Sequence, residues 1–377
     1  MNYIGSKKSL LEFIEKAISN VVSEMDYKFS DLFAWTWIVW RYFKEKWHNV
    51  VSNDLQYYSY VINKNYIENN KPLEFLWLYN AILELENADI LKRKDIVIDY
   101  LDKLPWKKGF IYNNYSIWWT KWQEHERMYF SDENAMKCDT IRTTIENWKK
   151  KNFINENEYY FLLASLLENI DKVANTASVY WAFLKSFKKA AQNLMSLKPA
   201  DFFFNNHKNT VYNSDINELI KTTSHDVVYL YPPYNERQYS ANYHVLETIA
   251  KYDNPQIKWK TWMRDYSEQK SLYCKKTEVK DSFRDLIQNI DAKYIFLSYN
   301  CEGLMSFDYI KEVMSERWEY WVFTKEYRRF KADKTESRNH KKNSVTEYLH
   351  YVIIKWRQQN KFNMRVLLIL DTILQSG

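Results

Sequence analysis

Residues 226–235 read DVVYLYPPYN, a hydrophobic stretch that stops at two prolines followed by an aromatic residue. The stretch predicts a strand, and consecutive prolines cannot continue a sheet interior because proline lacks the N–H that pairs with a neighbouring strand. We therefore expect the turn to lie at the carboxyl edge of the sheet, where α/β proteins bind their ligands.

The amino-terminal part predicts the opening unit of such a sheet. Apolar residues recur at steps of three and four over residues 9–25, which indicates an amphipathic helix. Residues 29–34 and 50–54 predict two buried strands, the second of which ends on Asp54. A strand, a tight connection, a helix and a strand that ends on an acid about 20 residues later are typical of nucleotide-binding α/β units.

The rest of the chain divides into segments that differ in residue composition. Residues 66–200 are rich in Asn, Lys and Glu, and we interpret them as an inserted helical domain with long helices over 158–170 and 178–197. Strand character returns at 294–298, 320–327 and 347–355, and the last two predict a hairpin around a polar, basic loop. Residues 357–377 follow the last strand as a tail.

Composition narrows the class of protein but contains one anomaly. The chain has 377 residues and a net charge of +6, which is compatible with a nucleic-acid partner. Its three cysteines lack metal-site spacing, so we expect no metal and a reducing, cytoplasmic location. No apolar run approaches the length of a membrane helix. The anomaly is 4 Gly against 16 Trp, where ordinary usage would give roughly 26 Gly.

Several short blocks resemble, in order, those of the adenine-specific DNA methyltransferases related to Dam methylase. NYIGSK resembles the family's first cofactor motif, DLFAWTWIVW its F-x-G-x-G loop, and the YPPY turn its catalytic D-P-P-Y motif. Asn53-Asp54 resembles the ribose-binding acid, and Asn213-Ser214-Asp215 the acidic motif that contacts the adenine of the cofactor. SYNCEGLMS (298–306) and YRRFKAD (327–333) continue the likeness.

The resemblance implies a Rossmann-like, S-adenosylmethionine-dependent fold that methylates the exocyclic amine of adenine in duplex DNA. The base must leave the helix to reach such a site. By resemblance, the Pro232 carbonyl accepts a hydrogen of the amine and Tyr234 stacks on the base. The resemblance assigns catalysis to Tyr231, Pro232, Pro233 and Tyr234, and cofactor binding to Tyr3, Gly5, Lys7, Phe33, Trp35, Trp37, Asp54 and Asp215.

Two of the acids have a structural alternative. Asp54 stands at a strand end, where a carboxylate commonly caps a turn, and Asp215 precedes a short apolar run as a helix N-cap would. For Asp215 the two roles are compatible.

Position 231 departs from the family pattern, since it is Tyr where the family has Asp or Asn. A phenol is a weaker and bulkier hydrogen-bond acceptor than a carboxylate, and its own hydrogen competes for the same contact. A catalytically silent DNA-binding relative is therefore an alternative to the enzyme, and methylation of RNA is a third hypothesis.

Basic residues supply candidate DNA contacts. Arg237 and Tyr239 follow the PPY turn, where the family places residues beside the extruded base. The basic residues around the predicted hairpin either contact DNA phosphates or belong to a loop that is only solvated. They are Arg328, Lys331, Arg338, Lys341 and Lys342.

Several of the excess tryptophans stand at positions where the family's motifs have glycine. An F-x-G-x-G loop needs glycine because its backbone approaches the cofactor, yet Trp35 and Trp37 occupy those positions. Trp40 and Trp47 also stand where the family tends to carry Gly. We hypothesise that UGA codons read as glycine in the source organism were rendered as Trp, and we expect the indoles to block the cofactor pocket of the chain as written.

These observations give a working domain plan. Residues 1–65 and 201–356 form the methyltransferase domain, and residues 66–200 resemble a target-recognition region. The expected partners are double-stranded DNA and, in a restriction-modification system, a cognate endonuclease, with the methyltransferase itself a monomer.

Overall fold

The computed structural model describes residues 7–35, 38–46, 48–121, 126–258, 261, 263–328 and 344–354. Nine strands lie within these ranges: β1 Lys28–Asp31, β2 Asn49–Asn53, β3 Thr210–Tyr212, β4 Ser224–Leu230, β5 Ile257–Lys258, β6 Met263–Arg264, β7 Asp291–Asn300, β8 Tyr320–Arg328 and β9 Ser344–Ile353. Thirteen α-helices are described there too: α1 Leu11–Val21, α2 Ile38–Glu45, α3 Tyr57–Asn63, α4 Ile90–Asp102, α5 Phe110–Tyr115, α6 Ile117–Thr120, α7 Asp132–Lys150, α8 Glu156–Lys172, α9 Ile216–Leu219, α10 Tyr239–Asn242, α11 His244–Lys251, α12 Val279–Asn289 and α13 Phe307–Ser315.

Seven strands form one mixed sheet in the order β3-β2-β1-β4-β7-β9-β8. The first five are parallel, and β9 then pairs antiparallel with both β7 and β8. The predicted α/β fold is confirmed, and so is the carboxyl-terminal hairpin. Strands β5 and β6 form a separate two-stranded ribbon.

The sheet is buried on both faces, as parallel sheets are. Along β4 the side chains alternate, so that Val227 and Tyr229 join one hydrophobic core while Val228 and Leu230 join the other. Tyr231 continues this alternation into the first core. The backbone turn that follows β4 is therefore anchored by a side chain that is still packed as part of the strand.

The middle of the chain packs on one face of this sheet. Helices α7 and α8 contribute Ile141 and Leu162 to the same hydrophobic core as β1 and β4. Arg142 on α7 is buried and donates to the carbonyls of Ile249 (2.9 Å) and Ala250 (3.0 Å) at the end of α11. A cation that bonds the last carbonyls of a helix satisfies groups that have no partner within the helix.

The predicted helix over 158–170 is confirmed by α8, but the predicted helix over 178–197 is wrong. That segment has turns and one short 3₁₀ helix, Lys189–Gln192. Ser178 has a φ of 75°, which a helix does not tolerate. The Asn175 side chain donates to Leu184 O (3.0 Å) and accepts from Lys188 N (3.0 Å), so it takes backbone groups that a helix would need.

Across the described ranges, none of the helices combines the length and the apolar character that a membrane crossing requires.

The end of β1 buries a carboxyl group. Asp31 is 4% exposed, and one of its oxygens has no hydrogen-bond partner among the described residues. The pKa of Asp31 is raised to about 8, chiefly by burial and also by the nearby carboxylate of Asp54, while hydrogen bonds from the backbone N–H groups of Phe33 and Trp40 oppose the rise. The folded protein therefore holds a proton that the unfolded chain releases near pH 4.

This group makes stability depend on pH in a defined direction. Because the folded-state pKa is raised, the stabilising protonation is complete below about pH 4 and is lost as the pH rises through about 8. Lowering the pH from 8 to 5 should stabilise the unsubstituted protein by about 3 kcal/mol relative to Asp31→Asn. Urea unfolding of both proteins at pH 5, 6.5 and 8 measures the difference.

The matched control is Asp26→Asn, which changes an exposed carboxylate two residues before the same strand. Its stability curve should run parallel to that of the unsubstituted protein. Parallel curves for Asp31→Asn would contradict the assignment.

Candidate functional site

Three loops meet at the carboxyl edge of the sheet. Because β2, β1 and β4 are adjacent and parallel, the segments after Asn53, Asp31 and Leu230 emerge side by side. The predicted site segments DLFAW, Asn53-Asp54 and YPPY are these three segments. The topology therefore brings together residues that are as many as 200 positions apart in the sequence.

Asn53 ties these ends to a fourth segment. Its amide donates to Leu32 O (3.3 Å) and to Ser214 O (3.1 Å), and its carbonyl accepts from Ser214 N (3.1 Å). A buried side-chain amide that satisfies backbone groups of two loops holds both at fixed spacing. The Asn213-Ser214-Asp215 motif thus lies directly against the end of β2.

A cavity lies between these loops. Seven of the predicted site residues line it, including Pro233 and Tyr239, and the whole lining is Leu32, Phe33, Trp35, Asn53, Asp54, Leu55, Gln56, Ser214, Asp215, Ile216, Tyr231, Pro233, Gln238, Tyr239, Gln269, Ser271 and Tyr273. The structure thus places four of the eight predicted cofactor residues, Phe33, Trp35, Asp54 and Asp215, around one space next to the PPY turn.

The two acids in the lining also have structural roles. Asp215 accepts a hydrogen bond from Asn217 N (2.9 Å) and caps α9, so the N-cap alternative is confirmed. Asp215 also lines the cavity, which is compatible with the second role, contact with the cofactor. Asp54 accepts from Gln56 N (2.7 Å) in a tight turn. Burial raises the pKa of Asp54 to about 7, against the effect of the Gln56 bond, and nearby Glu247 adds to the rise.

Glu247 positions the segment after Asp54 and was not predicted from the sequence. It is 1% exposed and accepts from Tyr57 N (3.2 Å) and Tyr58 N (2.8 Å), the first residues of α3. Gln269 donates to the same carboxylate (2.6 Å) and also lines the cavity. An anion at a helix N-terminus satisfies free N–H groups. Glu247 therefore connects α11 to the start of α3 and to Gln269 in the cavity lining.

Lys7 lies beside the catalytic position and does not line the cavity. Its ammonium group forms a buried ion pair with Glu347 on β9, and Glu347 also accepts from Ser298 on β7. The Lys7 nitrogen lies 4.0 Å from the centre of the Tyr231 ring. Burial lowers the pKa of Lys7, and the Glu347 carboxylate opposes this change. Glu347 was not predicted, since no sequence pattern marks it.

Tyr231 is buried at 6% exposure and stacks on Tyr234, with ring centroids 6.2 Å apart. Burial raises the pKa of Tyr231, and neighbouring tyrosines raise it further, so the phenol stays neutral. Position 231 therefore offers a neutral hydroxyl where the resembling family has a carboxylate or an amide.

A second cavity of about 480 Å³ is lined by residues that follow the PPY turn in the sequence. Arg237 lines it together with Trp181 and Val179 from the middle part of the chain. Tyr180 N donates to Asn242 O (2.7 Å), and the ring of His244 is 2.8 Å from Tyr180 O. The middle part of the chain is thus bonded to the segment that follows the catalytic turn.

Some predicted site residues lie outside the described ranges. They are Tyr3, Gly5, Trp37, Lys331, Arg338, Lys341 and Lys342. The backbone of Arg328 is described as the last residue of β8, and its side chain is not.

Comparison with known proteins agrees with this arrangement. The chain is 49% identical over 352 residues to the type II methyltransferase M.NlaIII of Neisseria lactamica, covering 93% of this chain and 98% of that protein. It is 37% identical to M.CviAII of Paramecium bursaria Chlorella virus 1, over 94% of this chain and 99% of that one. It is also 37% identical to M.FokI of Planomicrobium okeanokoites, of which it covers 52%.

A family model matches residues 3–313, which include the five parallel strands of the sheet, the first cavity and the PPY turn described above. With this match and the near full-length similarity to M.NlaIII, the chain belongs to the D12 class N6 adenine-specific DNA methyltransferase family.

Proposed function

We propose that the protein is the modification methylase of a type II restriction-modification system, methylating adenine in a specific duplex DNA sequence. The observation that carries the proposal is the YPPY turn after β4. Tyr231 and Pro233 line the first cavity, and the residues that follow the turn line the second cavity together with Val179 and Trp181 of the middle part of the chain. The relatives M.NlaIII and M.FokI are type II methyltransferases by name, which supports the same role here.

In this proposal the target base turns out of the helix and stacks on Tyr234. The Pro232 carbonyl at the end of β4 accepts one hydrogen of the adenine amine, and residue 231 accepts the other. The site suits an extruded base because Tyr234 is fixed in place by two contacts. Its ring stacks on Tyr231, and its backbone carbonyl accepts a hydrogen bond from Leu304 N (3.1 Å). Base flipping is required because the amine is otherwise held in the duplex.

The DNA would lie across the face that Arg237 and the middle part of the chain share. Arg237 lines the second cavity beside Trp181, and the bonds of Tyr180 fix these two segments together. Residues 66–200 would then supply side chains to the major groove, where adenine presents a distinctive donor and acceptor pair. Residues 1–65 and 201–356 would form the catalytic domain, with phosphate contacts from Arg328, Lys331, Arg338, Lys341 and Lys342.

The methyl donor in this proposal is S-adenosylmethionine, whose polar groups match the lining of the first cavity. Asp54 and Asp215 face that space, and Gln56 Oε1 is buried there with no hydrogen-bond partner among the described residues. The size does not match, because the cavity measures about 60 Å³ and small-molecule pockets usually span about 300–1,000 Å³. The chain as written therefore does not fit the donor.

A second candidate function is a catalytically silent DNA-binding relative. The neutral, buried Tyr231 at the acceptor position favours it, together with the small cavity. The experiments below separate the two, because a silent relative would bind DNA and gain no activity from substitution at position 231.

The first of two predictions for the proposed catalytic turn concerns position 231. In a protein carrying Trp35→Gly and Trp37→Gly, the further change Tyr231→Asp should raise methyl transfer about 100-fold or more, because a carboxylate accepts the amine hydrogen better than a neutral phenol. Mass spectrometry of N6-methyladenine in incubated plasmid DNA measures the rate. The control is the double-glycine protein with Tyr231. Equal rates in the two proteins would contradict the proposed role of residue 231.

The second prediction concerns Tyr234 in the same restored protein. Tyr234→Ala should lower kcat/KM by roughly 10- to 100-fold, since base–aromatic stacking contributes about 1–3 kcal/mol. Tyr234→Phe keeps the ring and should stay within about threefold. A loss of similar size in both variants would show that the hydroxyl, and not the stacking face, is what matters.

A further inference from the structure

The wall of the first cavity that faces the PPY turn is an indole ring. Trp35 is 6% exposed, and its ring packs on Tyr239 with centroids 4.4 Å apart and on Tyr243 at 5.5 Å. Tyr239 and Tyr231 line the same cavity. The indole therefore stands between the loop after β1 and the segment after β4, which is the space that a ligand held by both loops would need.

The backbone of this loop is held without the help of the indole. Ala34 N donates to Asn53 O (3.0 Å), and Trp35 N donates to Phe33 O (3.0 Å). Both bonds are made by main-chain atoms, so a residue without a side chain keeps them. The Trp35 ring lines the cavity, and these two main-chain bonds do not depend on it.

We propose that residue 35 of the working enzyme is glycine, and that the tryptophan written at this position closes the methyl-donor cavity. The proposal rests on the proposed function, because it names the residue that stops the chain as written from accepting the donor. A glycine at position 35 removes the whole ring and lets backbone and ligand approach closely. It enlarges the cavity on the side of Tyr239 while Asp54 and Asp215 stay in place.

A neighbouring tryptophan also fits its surroundings poorly. Trp40 on α2 is fully buried, yet its indole N–H has no hydrogen-bond partner among the described residues. Buried Trp N–H groups usually find a partner, because an unpaired buried donor destabilises the fold. The mismatch at Trp40 is independent of the cavity and concerns another position that the sequence hypothesis assigned to glycine.

The exposure of the other tryptophans points the same way. Tryptophan is highly buried on average, as Trp35, Trp40 and Trp148 are here. The remaining tryptophans whose exposure is described are all more than a third exposed, namely Trp77 (71%), Trp106 (42%), Trp118 (58%), Trp181 (54%), Trp318 (42%) and Trp321 (38%). Three of these six, Trp106, Trp181 and Trp318, lie in loops or turns, where glycine is common, so glycine written as tryptophan accounts for their exposure.

The test measures donor binding and does not depend on activity. The full chain as written and its Trp35→Gly variant are titrated calorimetrically with S-adenosylhomocysteine, the stable product form of the donor. Trp35→Ala is measured beside them, so that a folding defect of the glycine variant leaves a second protein with an opened cavity. Thermal melting of each protein confirms that it is folded. The matched control is Trp77→Gly, which removes an exposed indole that does not line the cavity.

We expect Trp35→Gly and Trp35→Ala to bind at least tenfold more tightly than the chain as written, and Trp77→Gly to bind as the chain as written does. Equal affinity of the chain as written and Trp35→Gly would overturn the proposal and leave the proposed function standing. Absence of binding by both position-35 variants would also overturn it, because residue 35 would not be what closes the cavity. The proposed function fails separately when Trp35→Gly binds the ligand but the restored protein with Tyr231→Asp methylates no adenine.

Discussion

The termination of β4 by Pro232 and Pro233 is the constraint on which the site depends. Strand β4 lies between β1 and β7 in the parallel part of the sheet, so its carboxyl end emerges next to the end of β1. Two residues without backbone N–H groups stop the ladder there and release the chain as a turn. Since Tyr231 is still packed in the core, the turn is fixed at its first residue and Tyr234 is presented at the sheet edge.

Buried polar side chains then hold the other walls at fixed distances from that turn. Asn53 ties the end of β2 to Ser214, Glu247 caps α3 beside Gln269, and Glu347 pairs with Lys7 next to Tyr231. Each of these groups is almost fully buried, so losing a partner would leave an unsatisfied polar atom in a medium of low dielectric constant. The carboxyl edge is therefore a rigid frame, and a side chain of the wrong size within it cannot be accommodated by a small shift.

Sequence patterns predict the sheet because the strands have local signatures. The PPY turn and the acid after β2 are each recognised from a few neighbouring residues, and the strand ends predicted there are confirmed, as is the antiparallel pairing of the last two strands. Glu247 and Glu347 could not be found in this way, because their partners are 189 and 340 residues distant in the sequence. The helix predicted over 178–197 failed because Asn175 captures backbone groups through its side chain, which residue periodicity does not reveal.

The methyltransferase sheet and its site loops are in place, and we propose that one residue of the written chain, Trp35, closes the donor cavity. On that proposal, the excess of tryptophan over glycine in the sequence comes from how the gene was translated, and not from the folded enzyme. The most direct measurement is the nucleotide sequence of the gene at codon 35. We expect UGA, decoded as glycine in the source organism, and a UGG codon at this position would contradict the proposal.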